Sequence, residues 1–304
     1  MEQPLVTVVT VTRNRADLIG RCIKSILTQT YVNFEHIIVD GASNDNTEEV
    51  VKSFNDYRIH YIKTDNSHSS QVDCYDIAFE NARGKYICFL DDDDEYLPVK
   101  IEKQVELIES LPEEYGLVYC WMSYYDSKTG RFIKQHSPHV SGNVSLEVVE
   151  TPVVSGTPTF LIKTEAFMRL GGWVSMEETG VMSDWAFGAR FCQHYKVDYI
   201  PESMIKVYVN HGHIRMTDSA NYYRNVIPKE IKFHTYFLDT YETIFNKYPG
   251  KVWYHYTRLI VLYIYQGYYR KAWYYYVKLL KVRFDIKSMV LPFIFILKKM
   301  LRLR

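Results

Sequence analysis

The stretch GKYICFLDDDDEYLP, residues Gly84 to Pro98, decides the fold of this chain. Its apolar run, Tyr86 to Leu90, ends abruptly in four aspartates, as a strand buried on both faces does at a polar sheet edge. Crowded carboxylates repel one another unless a cation or hydrogen-bond donors compensate. Because oxygen ligands favour Mg²⁺ or Mn²⁺ over zinc, the stretch predicts a divalent metal site. A solvated acidic turn is the alternative. We favour the metal site because a buried strand leads into the run and Pro98 opens a predicted helix after it.

The first half of the chain alternates β-branched apolar segments with segments whose apolar residues recur at helical spacing. Such alternation indicates right-handed βαβ units and a mainly parallel sheet. The strands would end at Thr12, Asp40 and Asp91 along one edge, where open α/β sheets bind nucleotides. The predicted strands are Leu5–Val11, Phe34–Val39, Ile59–Ile62, Tyr86–Leu90 and Gly116–Tyr124. The predicted helices include Ile19–Leu27, Asp73–Ala82 and one through Phe54 that Thr47 caps.

Composition narrows the function classes. The 36 basic and 36 acidic residues cancel, so no bulk charge favours nucleic acid as a partner. The five cysteines are scattered without metal-ligand spacing, as free thiols in a reducing cytosol are. The sequence shows neither a signal-peptide pattern nor an apolar run near the ~18 residues of a membrane span, so we expect a cytoplasmic location. Dinucleotide, P-loop, zincin and serine-hydrolase motifs are also missing from the sequence.

Five segments, taken in order, carry a resemblance to a known family. They are VTVVTVTRN from Val6, SILTQTY from Ser25, IIVDGASNDNT from Ile37, GKYICFLDDDD from Gly84 and LGGWVSMEETGVMSDW from Leu170. Together they resemble the family 2 glycosyltransferases, inverting enzymes of the GT-A fold that use nucleotide-sugar donors. The resemblance implies an α/β, Rossmann-like GT-A domain with a mainly parallel central sheet over residues 1–218. The remaining residues, 219–304, would form a C-terminal α-helical extension.

The resemblance also implies a donor site. Asp93 matches the metal-binding aspartate of the family's Asp-x-Asp motif, and His211 matches a histidine near the diphosphate or metal, although that loop could equally be exposed and idle. A strand-like stretch would point Asp91 and Asp93 the same way. Gly41 stands where many members have a second aspartate, which leaves the nucleobase open. The implied nucleotide-sugar-binding residues are Val11, Thr12, Asn14, Asp40, Gln71, Asp73, Asp91 and Asp92.

A single carboxylate of the second half matches the family's general base. Asp184 follows Ser183, where the family usually has a glutamate, and it precedes an aromatic residue. The alternative is an ordinary helix N-cap, since a lone aspartate before an apolar helix usually serves as one. Thr157, Trp173 and Trp185 are predicted to line the acceptor pocket, with core packing as the other use of the tryptophans.

The implied reaction is metal-dependent transfer of a hexosyl or N-acetylhexosaminyl group, with inversion, from a nucleotide sugar, expected to be a UDP-sugar. A carboxylate accepts the proton of the acceptor hydroxyl, and a cation stabilises the departing diphosphate. The acceptor would be a glycan or lipid-linked molecule of surface polysaccharide biosynthesis. A non-catalytic nucleotide-sugar-binding or scaffold subunit and a sugar-phosphate nucleotidyltransferase are the alternatives.

The C-terminal part is helical in pattern and rich in tyrosine. Two helices are predicted around Gln266-Gly267, after an apolar stripe that includes Phe233 and Phe237. The end of the chain, residues 288–304, joins a short apolar run to clustered cations. Such a segment suits peripheral contact with the inner face of the membrane, or simple docking of a terminal helix.

Overall fold

The computed structural model describes residues 3–68, 70–213 and 226–283 of the 304-residue chain. These residues form two compact units. The first consists of residues 3–144, 154–172 and 191–213, and the second of residues 145–153, 173–190 and 226–283. The domain boundary predicted at 218/219 and the segment 288–304, predicted to contact membrane, lie outside the described residues, so both stay predictions.

The strands of the first unit form one mixed sheet. Their spatial order is β3-β2-β1-β4-β8-β6-β9-β5, and β7 pairs with the second half of β6. In chain order the strands are β1 (Val6–Thr12), β2 (Phe34–Asp40), β3 (Ile59–Lys63), β4 (Tyr86–Phe89), β5 (Glu95–Tyr96), β6 (Tyr115–Asp126), β7 (Phe132–His136), β8 (Phe160–Lys163) and β9 (Lys196–Val209).

The first four strands carry the predicted parallel arrangement. β1 pairs in parallel with both β2 and β4, and β2 pairs in parallel with β3. The crossover helices are α1 (Ile19–Leu27), α2 (Thr47–Ser53) and α3 (Gln71–Asn81). β8 then runs antiparallel between β4 and β6, which makes the sheet mixed. The predicted α/β class is confirmed. Continuous β-branched runs can be buried on both faces of a sheet only when helices cover those faces.

Two local expectations at helix starts differ from the structure. Helix α4 (Lys100–Ser110) begins two residues after Pro98, and it buries Ile101, Val105 and Ile108. Thr47 is the first residue of α2 rather than its cap. Its backbone N–H and hydroxyl both donate to Asp45 Oδ1, at 3.0 Å and 2.5 Å. The Asp45 carboxylate, two residues earlier, therefore satisfies the backbone N–H of the first helical residue.

The second unit is helical. Its core includes Trp185, Phe233 and Phe237, whose rings pack together at centroid distances of 4.6–4.9 Å. The predicted pair of C-terminal helices is confirmed, and Gly267, with φ of 82°, ends the first of them in a left-handed cap. Among the described residues, no helix combines the length and apolar character that crossing a bilayer requires.

The helices after α4 are α5 (Glu147–Glu150), α6 (Thr164–Arg169) in the first unit, α7 (Met176–Thr179), α8 (Ser183–Phe191), α9 (Ile227–Thr240), α10 (Glu242–Lys247), α11 (Trp253–Gln266) and α12 (Tyr269–Val282).

Candidate active site at the carboxyl edge of the sheet

The carboxyl ends of three parallel strands meet at one edge of the sheet. Thr12, the last residue of β1, is in register with Asp40, the last residue of β2. The Leu90 N–H donates to the Val9 carbonyl at 3.0 Å, so the aspartates that follow β4 emerge beside the end of β1. The Thr12 hydroxyl donates to Asp92 Oδ2 at 2.7 Å. The structure therefore brings these sequence-predicted residues together within the first unit.

Three of the four consecutive aspartates turn their carboxylates toward one point. One oxygen each from Asp91, Asp93 and Asp94 lies within 4.8 Å of the other two. The run forms a turn rather than the expected strand-like stretch, because the Asp94 N–H donates to the Asp91 carbonyl at 3.1 Å. Asp94 Oδ1 also accepts from the Tyr208 N–H at 2.9 Å, which fixes its orientation. Carboxylate oxygens in this arrangement fit a Mg²⁺ or Mn²⁺ ion.

Basic side chains surround Asp93, and the two arginines among them balance part of this negative charge. His211 Nε2 lies 2.9 Å from Asp93 Oδ2, and the imidazole is almost completely buried. The Arg15 guanidinium lies 3.4 Å from the same oxygen. Arg21 donates to the Asp93 backbone carbonyl at 2.5 Å. His211 and Asp93, which sequence analysis assigned to the metal, are therefore direct neighbours.

Asp92 is the member of the run that does not belong to this carboxylate cluster. It accepts from Thr12, and its other oxygen lies 3.7 Å from Arg15. Burial raises the pKa of Asp92 to about 6, while Arg15 and the Thr12 hydroxyl lower the pKa and only partly offset the burial. Asp92 thus anchors the aspartate turn to β1, and its predicted contact with the donor stays a prediction.

Asp40 is completely buried and holds the loop that follows β2. Its Oδ1 accepts from the Ser43 N–H at 2.8 Å, and its Oδ2 accepts from the Tyr61 hydroxyl at 2.5 Å. Asn14 links this loop to the one after β1. The Asn14 N–H donates to Ser43 Oγ at 2.8 Å, and its Oδ1 accepts from the Asn44 N–H at 2.9 Å. With φ of 53°, Asn14 occupies a left-handed conformation that asparagine tolerates better than most residues.

The start of α3 is organised by a capping box. Ser70 Oγ accepts from the Asp73 N–H at 3.2 Å, and Asp73 Oδ2 lies 2.5 Å from that hydroxyl. Gln71 is exposed one residue after the cap. Asp73 therefore stabilises the helix end. The nucleoside contacts predicted for Gln71 and Asp73, and those for Val11 at the end of β1, stay predictions.

Sequence reasoning did not single out three residues that shape this site. The Arg21 guanidinium lies 3.8 Å from the centre of the Tyr208 ring and 3.4 Å from Glu95 Oε1. Tyr61 donates to Asp40. Arg21 reads from the sequence as an ordinary polar position of an amphipathic helix, and Tyr208 lies on β9, a strand that was not predicted as a whole. Their roles depend on packing across the sheet, for which a local pattern carries no signal.

Asp184 belongs to the second unit. It lies in the first turn of α8, which begins at Ser183, and the preceding Met182 has φ of 57° and accepts the first hydrogen bond of the helix through its carbonyl. The helix therefore contains Asp184, and the N-cap position belongs to Met182. The carboxylate is partly exposed, as a proton-accepting group must be.

The three residues predicted to line an acceptor pocket are divided between the units. Thr157 begins a short 3₁₀ turn of the first unit. Trp173 is half-buried in the second unit, with its ring 4.7 Å from that of Phe187. Trp185 is only 1% exposed, and its indole N–H donates to the Val148 carbonyl at 2.6 Å. The structure thus places Trp185 in the core, which was the other use considered for it.

The sequence itself identifies the family to which these features belong. The sequence pattern of the family described as "Glycosyl transferase family 2" matches residues 7–171, more than half of the chain. The chain belongs to glycosyltransferase family 2. The matched region of this glycosyltransferase runs from the second residue of β1 through β8 and α6, and it includes the aspartate turn.

Curated relatives resemble the glycosyltransferase over part of their length. A Rickettsia prowazekii glycosyltransferase is 34% identical over 41% of this chain and 39% of its own. TuaG of Bacillus subtilis, whose name assigns it to teichuronic acid biosynthesis, is 36% identical over 35% of this chain and 42% of its own. WfaP of Escherichia coli, named as a UDP-Glc:α-D-GlcNAc-diphosphoundecaprenol β-1,3-glucosyltransferase, is 33% identical over 41% of this chain and 47% of its own. The chain spans about half or less of the length of the first such relatives, 24–53%.

Solved structures confirm the GT-A fold. TarS of S. aureus in complex with UDP-GlcNAc superposes with a TM-score of 0.61 at 14% identity, over 92% of this chain and 94% of that one. The mannosyltransferase PcManGT of Pyrobaculum calidifontis, in complex with GDP-Man and Mn²⁺, gives a TM-score of 0.60 at 16% identity, over 100% of this chain and 81% of that one. At such identities the likeness establishes the fold alone.

Proposed function

We propose that this family 2 glycosyltransferase transfers a hexosyl or N-acetylhexosaminyl group, with inversion, from a UDP-sugar to a glycan or lipid-linked acceptor of surface polysaccharide biosynthesis. The reaction depends on Mg²⁺ or Mn²⁺. The observation that carries the proposal is the convergence of Asp91, Asp93 and Asp94 beside the ends of β1 and β2, where α/β sheets bind their ligands.

The aspartate turn is the part of the chain suited to hold the metal. Asp91 is more accessible than the buried Asp93 and Asp94, so it would be the most solvent-exposed of the three ligands of the ion. When bound, the cation supplies stabilisation for the charge that develops on the departing diphosphate. Arg15 and His211 both contact the Asp93 carboxylate, and these contacts keep it oriented. Arg21 fixes the backbone of the turn through the Asp93 carbonyl.

Asp184 is the proposed general base. An acceptor hydroxyl is a poor nucleophile until its proton is accepted, and a carboxylate within hydrogen-bond reach accepts it as the new bond forms. Attack opposite the leaving diphosphate in a single step inverts the anomeric carbon. Asp184 suits this role because it is partly exposed in the first turn of α8. The next residue of the helix, Trp185, is buried in the core and holds this turn in place.

The names of relatives and the ligands of similar structures support the donor and acceptor classes. TarS was solved with UDP-GlcNAc, and the name of WfaP specifies a UDP-sugar donor and a lipid-linked acceptor. The name of TuaG assigns that protein to biosynthesis of a surface polymer. PcManGT, in contrast, was solved with GDP-Man, so a GDP-sugar is the necessary comparison in any donor screen.

The proposal is tested by assaying hydrolysis and transfer for a panel of UDP- and GDP-sugars, with Mn²⁺ and after chelation. Asp93→Asn is expected to lower kcat/KM by at least ~10²-fold, and Asp184→Asn to lower kcat by roughly 10²–10⁴-fold. Asp239→Asn, a substitution at an exposed aspartate of α9, is the matched control and is expected to leave both unchanged. The anomeric configuration of the product, read by NMR, should be opposite to that of the donor.

Each alternative function gives a different result in the same assay. Release of pyrophosphate from a nucleoside triphosphate and a sugar phosphate would identify a nucleotidyltransferase. Metal-dependent binding of a nucleotide sugar without turnover of any donor would identify a non-catalytic subunit. Full activity of Asp93→Asn after chelation would refute the metal dependence, and retention of the donor configuration would refute the single displacement.

A further inference from the structure

Helix α12 buries one face against α11 and exposes a row of apolar residues beside it. Ala272, Tyr276 and Leu279 are buried in a cluster shared with α11. Tyr269, Trp273 and Val277 follow one another at intervals of four residues, so they form a single row along the helix. Their exposed fractions are 55%, 63% and 36%. Two of the three are aromatic residues, which bury large areas when they find a partner.

This row stands out from the other apolar residues at the surface. Of the 12 large hydrophobic residues found exposed among the described residues, five lie between Tyr268 and Val277. The others, such as Tyr57 and Phe132, are distributed along the rest of the chain. Single exposed apolar residues need no explanation, whereas a concentration on one helix indicates an interaction surface.

The charge of the same helix is entirely positive. α12 contains Arg270, Lys271, Lys278 and Lys281 and no aspartate or glutamate. Arg270, Lys271 and Lys281 are exposed, and the Lys278 ammonium lies 4.6 Å from the centre of the Tyr274 ring. Arg270, Tyr274 and Lys281 share a helix face that adjoins the Tyr269–Trp273–Val277 row. Cations therefore flank the aromatic row.

This combination selects one kind of partner. Lysine is depleted in protein–protein interfaces, and a uniformly cationic face repels a second copy of itself. Tryptophan and tyrosine beside lysine and arginine are typical of helices that lie in the interface of a bilayer. Anionic headgroups would attract the cations while the aromatic rings insert among the headgroups.

We propose that the Tyr269–Trp273–Val277 face of α12 binds an anionic lipid surface and holds this protein peripherally on a membrane. The inference does not rest on the proposed reaction, because it concerns α12 alone and none of the residues of the candidate active site. It adds a second contact to any that the basic end of the chain makes.

The proposal is tested by flotation of the full chain with vesicles of phosphatidylcholine alone or mixed with phosphatidylglycerol. Binding is expected only with phosphatidylglycerol and should weaken with added salt. Removing cations through Arg270→Gln and Lys281→Gln is expected to weaken binding roughly fivefold per substitution. The double substitution Tyr269→Ala and Trp273→Ala should weaken binding to these vesicles at both low and high salt. Tyr57→Ala and Phe132→Ala, which remove exposed aromatic residues of the first unit, are the matched controls and should bind as the native chain does.

Other outcomes overturn the proposal. Binding that is unchanged in every α12 variant but lost in Lys298→Gln with Lys299→Gln would assign the contact to the end of the chain instead. A change of oligomeric state in the α12 variants, read by light scattering, would assign the face to a second copy. Should the alanine variant fail to fold, the two glutamine substitutions decide. Asp93→Asn should float as the native chain does, which separates this test from that of the reaction.

Discussion

Replacing the buried histidine pair of the second unit is expected to remove an acid-sensitive part of the protein's stability. His234 of α9 and His255 of α11 are fully buried, with their Nδ1 atoms 2.9 Å apart. His255 Nε2 lies 2.7 Å from the Val149 carbonyl oxygen, which only accepts, so this nitrogen carries the proton. The neutral His255 ring then accepts at Nδ1 from His234. Within the described residues, the remaining nitrogen of His234 has no hydrogen-bond partner.

Protonation of either ring is unfavourable in this place. A proton on His255 Nδ1 would face the N–H of His234, and a charged His234 would stand among the rings of Trp185 and Phe233. The ionisable groups nearby are Tyr254 and the ion pair between Arg258 and Glu230, at 2.6 Å. Burial lowers the pKa of His255 to about 4. Burial, together with His255 and Arg258, lowers the pKa of His234 well below its ordinary value.

These pKa values set the sign and size of the effect. Between about pH 6.5 and pH 4 the unfolded chain binds a proton at His255 and the folded chain does not, so the free energy of unfolding falls as the pH falls. Since a tenfold change in proton affinity is ~1.4 kcal/mol, a pKa lowered from about 6.5 to about 4 corresponds to about 3 kcal/mol. His234 adds to the loss with the same sign.

The perturbation is the double substitution His234→Asn and His255→Gln, which retains hydrogen-bonding groups but removes both titrations. Thermal unfolding is followed by tryptophan fluorescence, because the Trp185 ring stacks on His255 at 5.5 Å. The native chain should lose about 6–12 °C more of its Tm than the variant between pH 6.5 and pH 4. Buried groups elsewhere, such as His36, contribute equally to both proteins and cancel. His194→Asn, at an exposed histidine, is the control. Parallel curves of Tm against pH for native chain and variant would refute the reasoning.

Three further predictions follow from close contacts in the first unit. Gly84→Ala should lower stability by several kcal/mol or prevent folding, because an added Cβ would lie 2.5 Å from the Thr7 backbone nitrogen. Gly250→Ala, at a glycine that likewise has no positive φ but meets no neighbour within 4 Å, measures the conformational part alone by urea unfolding. Arg83→Ala should lower the free energy of unfolding by about 2–3 kcal/mol at neutral pH, because it removes two of the donors to the Glu35 carboxylate, which is 3% exposed. Arg169→Ala, which breaks an exposed ion pair with Glu165, should lower it by under ~1 kcal/mol. Equal losses in the two variants would contradict the argument from burial. Asp93→Asn should raise the Mn²⁺ concentration for half-maximal activity at least ~10-fold. Asp92→Asn, at a residue outside the carboxylate cluster, should change that concentration only a few-fold. A larger effect of Asp92→Asn than of Asp93→Asn in a metal titration would contradict this assignment of the ligands.

Much of the first unit could be predicted because its signals are local. The continuous apolar run of β1 and the four aspartates after β4 lie in short stretches whose periodicity and polarity fix their own structure. Parallel pairing of consecutive strands then places Thr12, Asp40 and the aspartates at one edge without further information. The starts of the helices were less certain, because α2 begins where Asp45 accepts from Thr47 and α4 begins at Lys100 without a side-chain cap.

Tertiary structure alone decided which carboxylates converge and which cations face them. The turn through Asp91–Asp94 brings the Asp94 carboxylate beside those of Asp91 and Asp93, whereas the alternation of a strand would point it to the opposite face. His211 reaches Asp93 only because β9 pairs with β6 and β5, a contact over more than a hundred residues. Local propensity acts over a few residues, whereas burial and charge pairing act between whatever residues the folded sheet makes neighbours. The sequence by itself therefore determined the acidic edge of the sheet. Only the folded chain determined which carboxylates converge at that edge and which basic side chains contact them.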